Sequence, residues 1–154
     1  MNRYVFTAAL GAALAFGGTA FAESHAMSDE DKAAMMESIT GDAEAGEKVF
    51  RKCAACHAVG EDAKNKVGPH LNGVVGRMAG AVEDFDYSDA LQEKAGEGLV
   101  WMPEELDAFL AKPRDYLPGT KMSFAGIRKE DQRADVIAYL AQYQEDGTMT
   151  EDMK

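Results

Sequence analysis

Cys53-Ala54-Ala55-Cys56-His57 is the place in this chain where residue types and spacing dictate a chemistry. These two thiols are the only cysteines in 154 residues. Three positions apart at the end of a helix, they can each add to one vinyl group on the same edge of a haem, making two thioether bonds. The histidine that follows is then aimed under the iron as its proximal ligand. Two other readings of C-x-x-C fit less well. A redox-active dithiol wants a strand leading into a helix, and no strand pattern precedes Cys53. A zinc site wants a second pair of ligands at comparable spacing, and no further cysteine exists.

A second axial ligand must come from elsewhere. His25 lies in a polar lead-in and His70 directly follows Pro69. Nine methionines compete, and the ordinary role of any one is to fill a core or dot a surface. Met1, Met27, Met35, Met36, Met149 and Met153 fall near the ends of the chain, and Met78 and Met102 lie in or beside loops. Met122 closes Leu117-Pro118-Gly119-Thr120-Lys121-Met122, where proline and glycine fix the backbone path between two predicted helices. Such a frame suits a weakly binding thioether.

Helices must position these groups. Ala45, Val49, Phe50 and Cys53 share a 3/4-spaced face, which predicts a helix from about 42 to 56. Pro103 suits the first turn of a second helix that carries Leu106, Phe109 and Leu110 and stops before Pro113. A third begins near Lys129-Glu130-Asp131 and presents Val136, Ile137, Leu140 and Tyr143. A short fourth is predicted near 88–94. Long glycine-rich stretches separate them, at 60–80, 96–98 and 117–126, as expected where loops pack around something other than protein. No strand alternation is present, so the predicted class is all-α.

The ends of the chain carry other information. Met1-Asn2-Arg3, an apolar run from Tyr4 to Phe16 and then Ala20-Phe21-Ala22 form the pattern of a secretory signal, with cleavage after about Ala22. An uncleaved anchor is the alternative, but the run falls short of the ~20 residues a spanning helix needs. Export would put the chain in the periplasm, where thiols do not stay free by default. The expected organisation is a signal over 1–22, an acidic flexible lead-in over 23–41, one folded domain over 42–143 and an acidic flexible tail over 144–154. Within the lead-in, Ser28-Asp29-Glu30-Asp31 could cap a short, loosely held helix through Met35 and Met36. The formal charge of the whole chain is −11, and losing residues 1–22 removes Arg3 and no acid, which leaves about −12. That surface argues against nucleic acid and anionic membranes as partners.

Between Gly46 and Gln142 the sequence resembles the class I c-type cytochromes, in particular the bacterial cytochromes c2 and c550. The resemblance is carried by an ordered series. Gly46 and Phe50 precede the haem motif. Val67-Gly68-Pro69, Leu71-Asn72-Gly73-Val74-Val75-Gly76-Arg77 and Phe85-Asp86-Tyr87-Ser88-Asp89-Ala90 follow it, and then Trp101, Tyr116 to Met122, and Ile137-Ala138-Tyr139-Leu140. It implies a class I cytochrome c fold, with three to five helices and long loops wrapped around one covalently bound haem c.

The resemblance also assigns residues. It implies thioethers at Cys53 and Cys56 and axial iron ligands at His57 and Met122. Pro69 would offer its carbonyl to the His57 ring. Arg77, Tyr87 and Trp101 would hydrogen-bond the haem propionates, which are costly to bury as anions. Gly46 would let the first and last helices cross closely, with Phe50 and Tyr139 at the crossing. In one departure, Phe109 stands where relatives often have a tyrosine near the ligand sulfur.

With both axial positions filled, no substrate could reach the metal, so the implied activity is one-electron transfer and not enzymatic turnover. Partners would be donor and acceptor redox proteins, for example a cytochrome bc1 complex and a reaction centre, oxidase or reductase. Contacts with membrane complexes would be transient and the chain a monomer, without a small-molecule substrate. Lys52 and Lys121, joined by Lys112 and Arg114, would form the docking patch against an otherwise acidic surface. Two rival functions belong to other classes: an enzyme or gas-binding protein with an open iron position, and an accessory subunit of a membrane oxidase.

Overall fold

The computed structural model describes residues 28–150. Its helices are α1 (Asp29–Glu37), α2 (Ala43–Phe50), α3 (Asp89–Gly96), α4 (Pro103–Ala111), α5 (Pro113–Tyr116) and α6 (Glu130–Ala141). Among the described residues there is no strand, only isolated antiparallel bridges between Met78 and Val100 and between Tyr143 and Met149. None of these helices is long and apolar enough to cross a membrane. The expected signal segment 1–22, with its cleavage site, lies outside the described residues.

Local chemistry explains where the helices begin. Asp42 caps α2 by accepting from Ala45 N–H, and Ser88 caps α3 by accepting from Leu91 N–H. Pro103 and Pro113 occupy the first positions of α4 and α5, where a missing N–H costs nothing. Pro113, expected only to end α4, therefore also starts a further turn of helix, which takes the count to six against an expected three to five. α2 is also shorter than its periodicity predicts. After Phe50 the chain tightens into bonds from Lys52 N–H to Val49, Cys53 N–H to Phe50 and Cys56 N–H to Cys53. These three-residue turns, mixed with four-residue bonds from Ala54 N–H to Phe50 and His57 N–H to Cys53, deliver the two cysteines and His57 just past the end of the helix.

The core is built where α2 crosses α6. A Cβ added at Gly46 would lie 2.0 Å from the Asp135 carbonyl oxygen and 2.8 Å from Tyr139 Cβ, so only glycine permits this approach. Phe50 and Tyr139 pack beside the crossing with ring centroids 5.2 Å apart. Asp135 accepts a 2.9 Å bond from Asp42 N–H, which fixes the start of α2 against the middle of α6. Val49, Phe50, Val136, Ile137 and Leu140 are buried here and run into Trp101, Leu106, Leu110, Leu117 and Ile127. α4 is tied to α6 by Arg133, whose Nε and Nη2 both donate to the Asp107 carboxylate, at 2.6 and 3.2 Å.

Both ends of the described chain are more ordered than their composition suggests. α1 is capped by Ser28 and buries Met35 to 5% exposure. Residues 144–150, expected to fray as part of an acidic tail, form a turn in which Gln144 N–H donates to Thr148 O at 2.8 Å. Gly147, within that tail, adopts φ +85°, and a Cβ on it would meet Gly60 within 2.3 Å. The turn is thus packed onto the loop that follows His57. Gly46→Ala should lower the stability of the haem-loaded protein by about 2 kcal/mol through overpacking. The readout is a reduced denaturation midpoint at unchanged denaturant dependence; an unmoved midpoint would mean the crossing has slack.

Candidate haem site

His57 is fixed from two sides. Its Nδ1–H donates to the Pro69 carbonyl at 2.7 Å, as the resemblance implies. A Cβ on Gly68 would fall 2.3 Å from His57 Cε1, so bare backbone lies against the ring. Burial pushes the His57 pKa below the ordinary histidine value, against the raising effect of the Pro69 bond, and Lys66 lowers it further. The ring is therefore neutral near pH 7, with its proton on Nδ1 and a bare lone pair on Nε2. That is the state in which imidazole binds a metal.

Lys66 was not singled out from sequence. Its Nζ donates to the carbonyls of Ala54, at 2.9 Å, and His57, at 3.4 Å, closing the turn that bears the cysteines. Asn72 was known only as part of a motif. Its side chain both donates to and accepts from the Gly60 backbone, at 2.9 and 2.8 Å, and pins the loop after His57. Single lysines and asparagines in loops carry no periodicity, so sequence offers no signal for either role. Cys53 is half-buried and Cys56 exposed, and the two are not joined in a disulfide. Burial raises the Cys53 pKa, partly opposed by Lys52.

The three residues expected to meet propionates are brought together. Trp101 N–H donates to the Arg77 carbonyl at 2.8 Å, and Gly76 N–H donates to the Trp101 carbonyl at 2.9 Å. Arg77 and Tyr87 lie near enough that each alters the ionisation of the other. Arg77 donates to the Asn72 carbonyl at 2.7 Å and to the His70 carbonyl at 3.4 Å, yet its Nε is buried without a partner. Burial depresses its pKa. A buried guanidinium with an unmet donor fits an anion at that point. His70, read as a loop residue, is half-buried, and its Nδ1 is likewise buried and unpaired. Leu71, Val75, Tyr87, Phe109 and Phe124 pack on the core while staying partly exposed. An apolar surface with bare glycine against a histidine ring and an unmet guanidinium fits a haem with its propionates.

Met122 is half-buried, and its N–H donates to Thr120 Oγ1 at 3.2 Å. Its frame is rigid: Leu117 is buried, and Gly119 adopts φ +93°. Lys121 clips this frame to the preceding segment, with Nζ 2.6 Å from Asp86 Oδ2 and 3.1 Å from the Tyr87 carbonyl. Phe109, the departure noted above, stacks between Trp101 and Tyr116 at centroid distances of 5.0 and 5.7 Å. The expected docking cations hold separate partners. Lys52 meets the neutral Gln132 side chain at 3.1 Å and Arg114 meets Ser123 at 3.2 Å, whereas Lys112 pairs with Asp115 at 2.5 Å.

Residues 43–144 match the family described as cytochrome c. The chain belongs to that family. It is 54% identical over 100 residues to cytochrome c2 of Agrobacterium tumefaciens, covering 65% of this chain and 90% of the relative. It is 55% identical over 103 residues to cytochrome c-550 of Ancylobacter novellus, covering 67% and 96%. Among solved structures it is similar to cytochrome c2 from Rhodospirillum centenum, with TM-score 0.63 and 43% identity over 68% of this chain and 99% of that one. The class I cytochrome c fold and the c2/c550 likeness therefore hold, and with them one covalently bound haem c at the Cys53/Cys56 motif.

Tyr116 beside the Trp101–Phe109 stack gives a pH test of this region. Burial and its bond to Glu105 push the Tyr116 pKa from 10.0 up to about 12. Because folding raises this pKa, the stabilisation is complete below pH 10 and is lost as pH climbs through about 12. In a phenol absorbance titration, Tyr116→Phe should remove one late-titrating group, and Glu105→Gln should shift that group earlier. A titration unaltered by Glu105→Gln would refute the pairing.

Proposed function

We propose that this chain is a soluble periplasmic monohaem cytochrome that shuttles single electrons between larger redox proteins, with His57 and Met122 as axial ligands. The observation that carries it is the His57 ring, oriented by its 2.7 Å bond to Pro69 so that Nε2 stays bare, and kept neutral by burial. Held by His57 and Met122, a haem would supply a one-electron ferric/ferrous couple, and the Met122 thioether would favour the ferrous side. Every other contribution is the chain's own. Pro69 and Gly68 hold the imidazole plane. The Leu117–Met122 frame, clipped by Lys121 to Asp86, holds the sulfur. Arg77, Tyr87 and Trp101 form the anion cradle. Cys53 and Cys56 hold the covalent edge.

The family is one of electron carriers, and a haem held by both His57 and Met122 would leave no position open for a substrate, which favours transfer over turnover. A cytochrome bc1 complex as donor, with a reaction centre, oxidase or reductase as acceptor, fits that role. Within the proposal, residues 1–22 are the export signal and 42–143 the cytochrome domain. Met122→Ala should abolish the weak near-infrared sulfur-to-iron band of the ferric protein and open the sixth position to carbon monoxide in the ferrous state. A parent already high-spin and readily binding carbon monoxide would move a gas-binding or enzymatic reading to the front.

Lys52, Lys121, Lys112 and Arg114 are proposed to dock the partner. Their pairing orders their contributions, because a lysine already bound to a carboxylate presents less field. Lys52→Glu should therefore slow association with a redox partner at low salt more than Lys112→Glu or Lys121→Glu. Stopped-flow rates across a salt series read this, and equal salt slopes for all three variants and the parent would defeat it.

A further inference from the structure

Two pieces of this chain lie outside the stretch that matches the family, and they meet. α1 (29–37) precedes residue 43, and most of the Tyr143–Thr150 turn follows residue 144. Lys32, Met35 and Met36 of α1 line a cavity of about 390 Å³ with Tyr143, Gln144, Glu145 and Thr150. The opposite wall is the loop from Gly73 to Met78, which contains Arg77. The additions thus form a second layer over the cationic side of the haem site.

The layer rests on little. Among the described side chains of α1 only Met35 is buried, and Glu30, Asp31, Lys32 and Glu37 are exposed. Its N-cap is local, Ser28 to Asp31, and gives the helix itself some stability. Its hold on the body therefore rests mainly on Met35, with Met36 half-buried beside it. The turn is anchored better. Gly73 N–H donates to the Tyr143 carbonyl at 3.0 Å, and Gly147 abuts Gly60. A firm turn thus faces a lightly latched helix.

We propose that α1 is a strap, held by the burial of Met35 and closing the cavity it shares with the Arg77 loop and the Tyr143–Thr150 turn, that limits bulk water at the cationic side of the haem site and so holds the reduction potential up. This rests on the electron-carrier reading. Burial in a low-dielectric surround disfavours the ferric state, which carries the extra positive charge, so removing the strap lowers the potential. The depressed Arg77 pKa already marks this side as poorly solvated. A competing effect has the opposite sign. The strap sequence Asp29–Glu37 carries four acids and one lysine, and removing that excess negative charge raises the potential. Those charges lie on an exposed surface and are screened at high salt, whereas water exclusion is not.

The test uses the haem-loaded protein, Met35→Gln, Met35→Leu, and a chain lacking residues 23–38. Gln keeps the length of the latch, adds no charge and makes its burial unfavourable, while Leu restores it. Amide hydrogen exchange over 30–37 should quicken at least tenfold in Met35→Gln and stay near the parent rate in Met35→Leu. The potential, measured with the sulfur-to-iron band intact, should fall in Met35→Gln and in the truncated chain at 0.5 M salt as an assay condition, about one order above low-salt buffer. Met35→Leu should match the parent. Parent exchange over 30–37 already as fast as in Met35→Gln would overturn the latch. An unchanged potential at high salt, or a rise confined to low salt, would overturn the shielding. Loss of the sulfur-to-iron band in the parent would instead reject the ligation on which the electron-carrier reading rests.

Discussion

The close crossing of α2 and α6 at Gly46 is the constraint on which the remaining structure depends. α2 ends in the tight turns that present Cys53, Cys56 and His57, so the motif is aimed only as well as α2 is held. The hold comes from backbone approaching backbone with no side chain between, which a single methyl group would disrupt. From that contact the apolar face of α6 extends to Leu106 and Leu110 of α4, and α4 carries Phe109 against Trp101. Trp101 is bonded through its backbone to Arg77. One helix pair thereby sets the position of His57 and, through two further layers, of the Arg77–Trp101 pair.

Much of this was legible in the sequence, for a physical reason. Haem attachment requires particular atoms at particular separations, and Cys53, Cys56 and His57 state those outright. The starts of α3 and α4 were legible because a capping serine and a proline act within one turn. The errors came where a local rule has two outcomes. Pro113 both ends one helix and begins another. The spacing that places Cys53 on the face of α2 continues past Phe50, although the backbone there has already tightened. Gly147 breaks helix and also makes a turn, and only the distant Gly60 shows which applies. The clip from Lys121 to Asp86 and the burial of Met35 share that property, because their partners are remote in sequence.

The charge pattern divides into pairs that hold and pairs that merely neutralise. Arg133 engages Asp107 with two nitrogens and is itself mostly buried, so it couples α4 to α6. Lys94–Glu97 and Lys112–Asp115 are exposed neighbours one helical turn apart, and solvent screening leaves such pairs with little effect on stability. Their effect is to erase positive charge from an already acidic surface. The positive field that remains is local, near residues such as Lys52 whose partner is neutral. A strongly acidic protein can in this way present a small cationic face without a change in net charge.

The bond from Asp42 to Asp135 joins positions 93 residues apart, and Gly46 meets Tyr139 over a similar span. A chain made from its N-terminus therefore lacks the partner of α2 until almost all of it has been synthesised. Closing so long a loop costs conformational entropy before any contact repays it, and topologies dominated by such contacts fold slowly. Until α6 arrives, nothing buries the inner face of α2, and both thiols stay reachable on an unfinished chain. The order of assembly is thus written into the separation of two helices: the cysteines come early, and the contact that locks them into a native structure comes last.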